Sequence, residues 1–450
     1  MDAGRIESRV AQVLLRHITA GQRLTVALSG GLDSVVLLHV LKQLASPLDF
    51  RLTAHHVNHG ISPRADEWAD YCFRLCEAWG VQLTIAVVDV SCSSGAGLEG
   101  AARAARYGVL GEVDTDFVVL AQHQDDQAET LLLQLFRGAG VLGLGGMPEA
   151  RVQQSAGGGT SSSPIYLRPL LDVPRQAIRD YATSHGLQWI DDDSNADRRF
   201  ARNFLRHEIL PVIDQRFPGA VANVAHAAAH CAEASELLND LAALDAGAIV
   251  EGSGIDIERL AELAPARAKN LLRFFLRRHG LRPPDQRRLT EMLRQLLTAR
   301  RDRQLCLAHE GTELRRFRNR VCLVKPRSRR IGAVRFRWQG EPVLVFPESG
   351  GSLRFEMTRG DGVDVGCLRD SLLTLRERRG GERMKLFSDG PSRTLKNLLQ
   401  ESSMPPWERQ RLPLLYVSER LAWAASVGVH ADFRAAPDAA GVILLWEPMA

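Results

Sequence analysis

A short polar loop, Ser29-Gly30-Gly31-Leu32-Asp33-Ser34, contains residue types suited to binding a polyphosphate. Glycines let backbone N–H groups converge on an anion, and the two serines can donate hydroxyl hydrogen bonds to phosphate oxygens. Asp33 cannot bind phosphate directly, so its carboxylate is expected to ligate Mg²⁺. The loop has no Walker-type lysine and does not match G-x-G-x-x-G. It therefore excludes a P-loop NTPase and a dinucleotide-binding fold.

A second polar group, His123-Gln124-Asp125-Asp126-Gln127-Ala128-Glu129-Thr130, follows an apolar run and opens a helical pattern. Adjacent carboxylates at a strand end can hold Mg²⁺ or a substrate amine. Aspartate in a first helical turn also caps the helix, so both interpretations stay open. The glycine-rich segment 137–147 comes next and predicts a tight loop whose backbone approaches a ligand.

A third cluster, residues 191–197, combines aspartates with Ser194 and Asn195 and precedes Arg202-Asn203 and Arg206-His207. Upstream of it lies Arg168-Pro169-Leu170-Leu171. Taken alone, these residue types predict a capped helix with a hydrogen-bonded entry loop. That role is structural rather than catalytic.

The elements around these groups alternate between strand-like and helix-like patterns, which predicts an α/β fold with a doubly wound parallel sheet. The predicted strands are Leu24–Leu28, Leu52–Val57, Leu83–Val88 and Phe117–Ala121. The predicted helices are Val35–Leu44, Ala65–Trp79 and Glu99–Glu112. Ligands bind such sheets at the carboxyl ends of the strands, so Ser29, His55-His56 and Gln122-His123 are expected at one edge.

The pattern changes after residue 218, which predicts three domains: 1–218, 219–333 and 334–450. The first is the sheet domain, and it includes a Gly/Ser-rich surface loop at 151–164. The second is helical and basic, with helical patterns at 220–244 and 260–297. The third is a small α+β domain. Between Arg267 and Arg337 there are 22 Lys and Arg against 5 Asp and Glu, in a chain whose net charge is +4. Such a block favours a polyanionic partner, first of all nucleic acid.

Composition excludes several classes of protein. The 450 residues are 45% hydrophobic, which is ordinary for a globular chain. No apolar run reaches the ~18 residues of a membrane span, and the N-terminus has no signal-peptide pattern. Seven cysteines, an odd number, indicate a reducing compartment, so a cytoplasmic location and no membrane partner are expected. No C-x-x-C pair occurs.

The six-residue loop resembles the pyrophosphate loop of the N-type ATP pyrophosphatase superfamily, whose fold is adenine nucleotide alpha hydrolase-like. Members split ATP between the α- and β-phosphates and adenylate an oxygen of their substrate. The resemblance implies that Ser29, Gly30, Gly31, Leu32, Asp33 and Ser34 bind ATP and that Asp33 is catalytic and holds Mg²⁺.

Motifs along the chain together resemble one family within it, the tRNA(Ile)-lysidine synthetases. They are SGGLDS, HQDDQAET with RGAGVLGLGGM, RPLL, DDSNADRRFARNFLRHEILP, and the stretch from Lys385 to Leu414. The segment 220–350 has no motif that matches residue by residue. The resemblance implies a two-step reaction on the wobble cytidine of an isoleucine tRNA with a CAU anticodon. ATP adenylates O2 of the base, and L-lysine then displaces AMP. It also suggests a homodimer.

The resemblance further assigns roles in the site. Asp126 is the candidate that binds the lysine amine, and Arg103 is expected to face the site and hold phosphate or the intermediate. The pocket for lysine and the base is assigned to five residues: His123, Asp125, Asp126, Glu129 and Arg137. The basic block and Lys385 to Arg411 are expected to bind tRNA.

Three other functions would require different features of the sequence. A tRNA thiolation enzyme of the same superfamily needs catalytic cysteines, usually as C-x-x-C. Asparagine synthetase needs a cysteine directly after Met1, where this chain has Asp2. An inactive nucleic-acid-binding module would not need Asp33, Asp125 and Asp126.

Overall fold

The computed structural model describes residues 4–89, 97–152, 163–191, 197–251, 254–299, 305–326, 332–347, 350–401, 404–409 and 411–448. Most of the Gly/Ser-rich loop (153–162) and of the acidic motif (192–196) lies outside the described residues. The chain divides into two compact units, Met1–Asp240 and Leu241–Ala450. In the described part, no helix is both long enough and apolar enough to cross a membrane.

The first unit is built on a six-stranded sheet of order β3-β2-β1-β4-β6-β5, in which only β5 is antiparallel. Its strands are β1 (Arg23–Ala27), β2 (Arg51–Asn58), β3 (Gln82–Val87), β4 (Phe117–Val119), β5 (Ala150–Val152) and β6 (Ile165–Leu167). The four predicted strands are β1 to β4, so the predicted doubly wound parallel sheet is confirmed. β5 and β6, which are three residues each, were not predicted from the sequence.

The helices of this unit cover both faces of the sheet. In chain order they are α1 (Gly4–His17), α2 (Leu32–Ala45), α3 (Ala65–Trp79), α4 (Gly97–Gly111), α5 (Gln124–Phe136), α6 (Val141–Leu144), α7 (Arg175–Ser184), α8 (Ala201–Phe204), a π-helical turn (Leu205–Ile209), α9 (Leu210–Arg216) and α10 (Ala220–Ile249), of which α10 continues past Asp240 into the second unit. α1, α2, α3 and α7 pack on one face, together with Leu24 and Val26 of β1 and Leu28, which follows it. α4 packs on the other face against Val118 and Tyr166.

Strand alternation produces this division, because successive side chains of a strand point to opposite faces. Val119 and Leu167 join the core beneath α2, whereas Val118 and Tyr166 join the core beneath α4. α2 is buried along most of its length, from Leu32 to Leu41. It lies between the sheet and its neighbours α1 and α7, so the polar loop before it has a rigid support.

The glycine-rich loop after α5 is in close contact with two helices. A Cβ atom on Gly145 would lie 3.1 Å from Cα of Ala232 in α10. On Gly146, whose φ is +65°, a Cβ atom would lie 2.5 Å from Oε1 of Gln127 in α5. Gln127 also pairs with both backbone polar groups of Met147, at 2.7 and 2.8 Å. The predicted tight loop is present, but these close approaches explain the two glycines.

The second unit combines helices with antiparallel sheets. Its helices are α11 (Ile257–Glu262), α12 (Pro265–Arg278), α13 (Gln286–Thr298), α14 (Val365–Arg369), α15 (Leu395–Glu401) and α16 (Pro406–Arg409). One sheet has the order β7-β8-β11-β10-β9. Its strands are β7 (Val250–Glu251), β8 (Gly254–Asp256), β9 (Cys306–His309), β10 (Thr312–Phe317) and β11 (Arg320–Val324). The helices expected at 260–297 are present, whereas the sequence analysis did not predict this sheet.

The last part of the second unit is α+β, as predicted. Its larger sheets have the orders β12-β16-β19-β20-β21 and β13-β14-β22-β15, and β17 pairs with β18. The strands are β12 (Val334–Phe336), β13 (Val343–Phe346), β14 (Gly351–Arg359), β15 (Val363–Asp364), β16 (Leu373–Glu377), β17 (Arg383–Met384), β18 (Arg393–Thr394), β19 (Pro413–Val417), β20 (Arg420–Ala424), β21 (Gly428–Val429) and β22 (Ala440–Pro448). Their inward side chains form one hydrophobic core.

Candidate active site

The site lies at the carboxyl edge of the first unit's sheet, where the strand order reverses. From β1 the chain proceeds outward through β2 and β3, and it then returns to the other side of β1 at β4. A crevice forms at such a switch point and is the usual ligand site of an open α/β sheet. The polar loop follows β1, and His123 follows β4. The two groups singled out in the sequence therefore flank the crevice.

The polar loop is held in shape by its own hydroxyl groups. Ser34 Oγ donates to the carbonyl of Gly31 at 2.9 Å and accepts from the Ser29 backbone N–H at 3.2 Å. Gly31 is the N-cap of α2, and no side chain caps that end. The first N–H groups of the 14-residue α2 and its positive dipole end are consequently directed at the crevice. This arrangement suits a polyphosphate.

Gly30 has a backbone conformation that other residues rarely adopt. Its φ is +84°, and an added Cβ atom would lie 2.9 Å from Ile190 Cδ1 and 3.1 Å from Cys72 Sγ. Its carbonyl accepts from the Ile190 backbone N–H at 2.9 Å. Gly31 differs, because its φ is −74° and the nearest atom to an added Cβ is Ser29 Oγ at 3.5 Å.

His123 is the centre of the acidic group. Its ring is almost fully buried and lies among three carboxylates. Nε2 is 3.7 Å from Asp33 Oδ2 and 3.5 Å from Asp126 Oδ2, and Nδ1 is 3.6 Å from Asp125 Oδ2. Burial alone would lower the pKa of His123, but the three aspartates outweigh it and raise that pKa. The aspartates of the two sequence motifs are thus brought together around one imidazole.

Two arginines that follow the third sequence cluster, Arg202 and Arg206, balance the charge of α5. Arg206, in the π-helical turn, donates to Glu129 at 2.6 and 3.1 Å and to Asp126 at 3.1 Å. The Glu129 side chain is fully buried. Burial raises its pKa and Arg206 opposes that shift. Arg202 lies 3.5 Å from Glu129 and donates to Thr130 at 2.9 Å. The segment expected to be structural therefore takes part in the acidic group, and π-helical turns are frequent at functional sites.

Asp33 is incompletely satisfied. Among the residues that the structure describes, its buried Oδ1 atom has no hydrogen-bond partner. Burial raises its pKa above the ordinary value, while His123 and Arg175 act in the opposite direction. A buried carboxylate oxygen without a partner is costly. A bound cation would remove that cost, so this atom fits a metal ligand.

The remaining ligands of such a cation would have to come from elsewhere. Among the residues that the structure describes, no three His, Cys, Asp or Glu side chains are arranged to hold a metal ion by themselves. Mg²⁺ is often bound through one or two carboxylates together with substrate phosphates. Asp33, next to the loop, fits that pattern.

Two predicted site residues lie apart from this group. Arg137 is the exposed C-cap of α5, whereas His123 is its N-cap, so they are about 20 Å apart along the helix. That distance exceeds the reach of a side chain. Arg103 lies on α4, with its guanidinium 5.0 Å above the ring of Tyr107, on the other face of the sheet.

Arg175 also contacts the acidic group, although no sequence motif includes it. Its backbone N–H donates to Asp125 at 3.0 Å, and its buried Nε atom has no partner among the described residues. In the sequence, only the position of Arg175 at the start of a helix, directly after a Pro, could have indicated a structural role.

Comparison with known proteins places this site in a family. The PP-loop domain family matches residues 3–213, the TilS substrate binding domain matches 255–322, and the TilS substrate C-terminal domain matches 373–446. A tRNA(Ile)-lysidine synthase from Nitrosomonas europaea is 39% identical over 97% of this chain and 94% of that protein. The chain belongs to the tRNA(Ile)-lysidine synthase family.

Two further members have similar identity. The tRNA(Ile)-lysidine synthase of an Azoarcus species is 42% identical over 96% of this chain and 93% of its own length. That of Aromatoleum aromaticum is 42% identical over 95% of this chain and 97% of its own. As a tRNA(Ile)-lysidine synthase family member with a PP-loop domain, the chain is an ATP-dependent ligase that modifies tRNA.

The conformation of Gly30 gives a first prediction. We expect Gly30→Ala to lower the free energy of unfolding by about 1–2 kcal/mol, because an L-residue is strained at this φ. Gly31→Ala is the matched control and should change it by less than about 0.5 kcal/mol. Urea titration followed by tryptophan fluorescence measures both. Equal losses in the two variants would show that φ at Gly30 is not the constraint.

The buried ion pair gives a second prediction. Arg206→Leu should cost about 3–5 kcal/mol of unfolding free energy, because it leaves the charge of Glu129 buried without its principal partner. Adding Glu129→Gln should recover part of the loss by removing that charge. Arg199→Ala, which breaks an exposed pair with Asp197, is the control and should be nearly neutral. If Arg206→Leu proved as mild as Arg199→Ala, the pair would not be important for stability.

Proposed function

We propose that the chain ligates L-lysine to C2 of the wobble cytidine in an isoleucine tRNA with a CAU anticodon. The product base pairs with A instead of G, and the tRNA changes from methionine to isoleucine specificity. The observation that carries the proposal is the imidazole of His123, which lies within 3.7 Å of both Asp33 and Asp126. The loop that contains Asp33 and the carboxylate of Asp126, which is suited to bind an amine, therefore lie at the same crevice.

In the first step, O2 of the cytidine attacks the α-phosphate of ATP. The new bond joins O2 to phosphorus, and the bond to the bridging oxygen breaks, so pyrophosphate leaves. The loop from Ser29 to Ser34 would hold the departing phosphates through its N–H groups and α2. Asp33 would hold Mg²⁺, which when bound supplies positive charge to the leaving group. To reach the edge of the sheet, the base has to leave its stack.

In the second step, the ε-amine of lysine attacks C2 and AMP departs with the original O2. The amine must first lose a proton, since an ammonium has no free electron pair. Asp126 would bind the ammonium and then accept that proton. In the free enzyme Asp126 accepts a hydrogen bond from Arg206 at 3.1 Å, and its side chain is 13% exposed. Asp126 is thus oriented by the protein yet open to the crevice.

The pocket for lysine and the base is proposed to include His123, Asp125, Asp126 and Glu129. The family resemblance also implies Arg137 in this pocket. Because Arg137 lies at the far end of α5, it could contact only a different part of the substrate. Arg103 is proposed to bind phosphate from the α4 face.

Recognition of the tRNA is proposed to involve the second unit. The excess of basic residues from Arg267 to Arg337 can neutralise RNA phosphates. Aromatic rings stacked with arginines accompany it, as with Arg315 at 5.4 Å from the Trp407 ring and Arg376 at 4.1 Å from the Tyr416 ring. We propose that the chain consists of three domains, 1–218, 219–333 and 334–450, and that the last two bind tRNA. A homodimer is also proposed from the family resemblance.

The direct test is to incubate the protein with ATP, Mg²⁺, radiolabelled lysine and unmodified isoleucine tRNA. Label should enter the tRNA only when ATP is present. A chain that binds the tRNA but neither releases pyrophosphate nor transfers lysine would instead be an inactive binding module. A thiolation enzyme would transfer sulfur and leave lysine unused, although this chain has no C-x-x-C pair.

Asp33 gives the third prediction. Asp33→Asn should reduce pyrophosphate release by about 10²–10³-fold, because one preorganised charge at the leaving group is lost. The melting temperature should stay the same or rise, because burial disfavours the ionised carboxylate in the free protein. Asp172→Asn, at a half-exposed ion pair with Arg9, is the control and should retain activity. Full activity in Asp33→Asn would contradict the assigned role.

Asp126 gives the fourth prediction. Asp126→Asn should damage lysine transfer more than adenylation, because it removes the group that binds and deprotonates the amine. Pyrophosphate release should persist while adenylated tRNA accumulates or the KM for lysine rises. Rapid-quench assays that follow pyrophosphate and AMP separately measure this. Equal loss in both half-reactions, with KM for lysine unchanged, would favour a metal-binding or structural role.

A further inference from the structure

A second group of cationic side chains lies at the same edge of the sheet, on the face covered by α4. Arg168 directly follows β6, and its side chain points to the face of Tyr166 because alternate residues of a strand share a face. α4 contributes Arg103 and Tyr107, and the Tyr107 and Tyr166 rings are 5.4 Å apart. The polar loop and α2 belong to the opposite face. The sheet edge therefore has an arginine-rich side, on the α4 face, that is separate from the polar loop.

Arg168 is the unusual member of this group. It is only 3% exposed, and Nη1 donates to the carbonyl of Pro148 at 2.9 Å. Its Nε atom is buried, and no described residue forms a hydrogen bond with it. A buried charged donor without an acceptor is strongly unfavourable unless a ligand supplies one. The Nε–H group of Arg168 is therefore a preformed donor for an acceptor atom of a ligand.

The surrounding charge is positive. In the parts of the chain that the structure describes, none of Arg103, Arg106, Arg151 and Arg168 forms an ion pair with a carboxylate. Glu149, which is two positions before Arg151, pairs instead with Arg16 at 2.7 Å and with His17 at 2.8 Å.

The effect of this charge is visible at Tyr107. Burial alone would raise the pKa of its hydroxyl, but Arg103, Arg168 and Arg106 lower that pKa. The group therefore favours an anion.

We infer that Arg168, together with Arg103 and Tyr107, binds a backbone phosphodiester of the tRNA next to the nucleotide that is modified. This rests on the proposed function and deepens it. The phosphates of ATP would lie at the loop before α2 on the opposite face, whereas the tRNA carries a phosphodiester on each side of the modified nucleotide. A guanidinium fork matches two phosphate oxygens. Phosphates on one face and the loop on the other would hold the target base between them.

The test combines a protein variant with a chemically altered RNA. Full-length isoleucine tRNA is made with a neutral methylphosphonate at the phosphate on either side of the wobble cytidine. Filter binding with wild type and Arg168→Gln, over a salt series, gives a double-mutant cycle. Arg168→Gln should weaken binding about tenfold and reduce the log–log salt slope by about 0.7. One of the two methylphosphonates should weaken wild type similarly and cause no further loss in the variant.

Controls separate this site from the nucleotide site and from misfolding. Arg179→Gln, an exposed residue of α7 on the opposite face, removes the same charge and should leave tRNA binding unchanged. ATP affinity without tRNA should be equal in wild type and Arg168→Gln. If Arg168→Gln does not fold, Arg103→Gln on the surface of α4 replaces it in the same cycle.

Two results would overturn the inference. One is additive loss from the protein and RNA changes at both phosphates, which would mean that no contact joins them. The other is a loss of ATP affinity in Arg168→Gln, which would assign the arginine to a nucleotide phosphate. Neither concerns the proposed function, because lysine transfer by the wild type is measured independently. A wild type that transfers no lysine would refute the function itself.

Discussion

The crowding of carboxylates around His123 is the constraint on which this site depends. Asp33, Asp125, Asp126 and Glu129 converge at one edge of the sheet, where like charges repel strongly in a partly buried setting. Arg206 and Arg202 offset part of that charge from the helical segment after residue 200. The His123 imidazole, whose pKa is raised, offsets a further part of this negative charge. The rest is left for substrates, and in the described part of the chain Asp33 Oδ1 is a buried carboxylate oxygen without a hydrogen-bond partner.

This arrangement links stability to chemistry. Glu129 is deeply buried and tied to Arg206, so it holds the π-helical turn against α5. Asp126 shares the same guanidinium but stays partly accessible. A lysine ammonium that approaches Asp126 would therefore meet a carboxylate already fixed in place. Because folding already orients the Asp126 carboxylate, less binding free energy is lost in orienting it when lysine binds.

Sequence patterns predicted the parts of the fold that depend on local periodicity. The strands β1 to β4 are apolar runs between polar turns, so the parallel sheet and its carboxyl edge could be predicted. β5 and β6 are too short to show a period. The sheet that contains β9 to β11 was not predicted because the apolar alternation in its strands is weak. The buried positions of Thr312–Phe317 are Thr312, Leu314 and Arg316, of which only Leu314 is apolar. The resemblance of the motifs to one family was confirmed by relatives that match along nearly the whole chain.

The site itself was predicted only where topology fixed it. Because strand ends meet at one edge, Asp33 and Asp126 could be expected together. The pairing of Arg206 with Glu129 joins residues 77 positions apart and needed the tertiary structure. Arg168 was read only as part of a motif, because nothing in a sequence shows that a buried Nε atom lacks a partner. Arg137 was placed by motif proximity, but a 13-residue helix separates it from His123.

The central claim is that the oxygen on C2 of cytidine is adenylated before lysine replaces it. An isotopic measurement tests this most directly. Isoleucine tRNA carrying ¹⁸O at C2 of the wobble cytidine is reacted with ATP and lysine, and the AMP is analysed by mass spectrometry. The account predicts that AMP acquires the ¹⁸O, one atom for each lysine incorporated. Unlabelled AMP, formed together with modified tRNA, would contradict it.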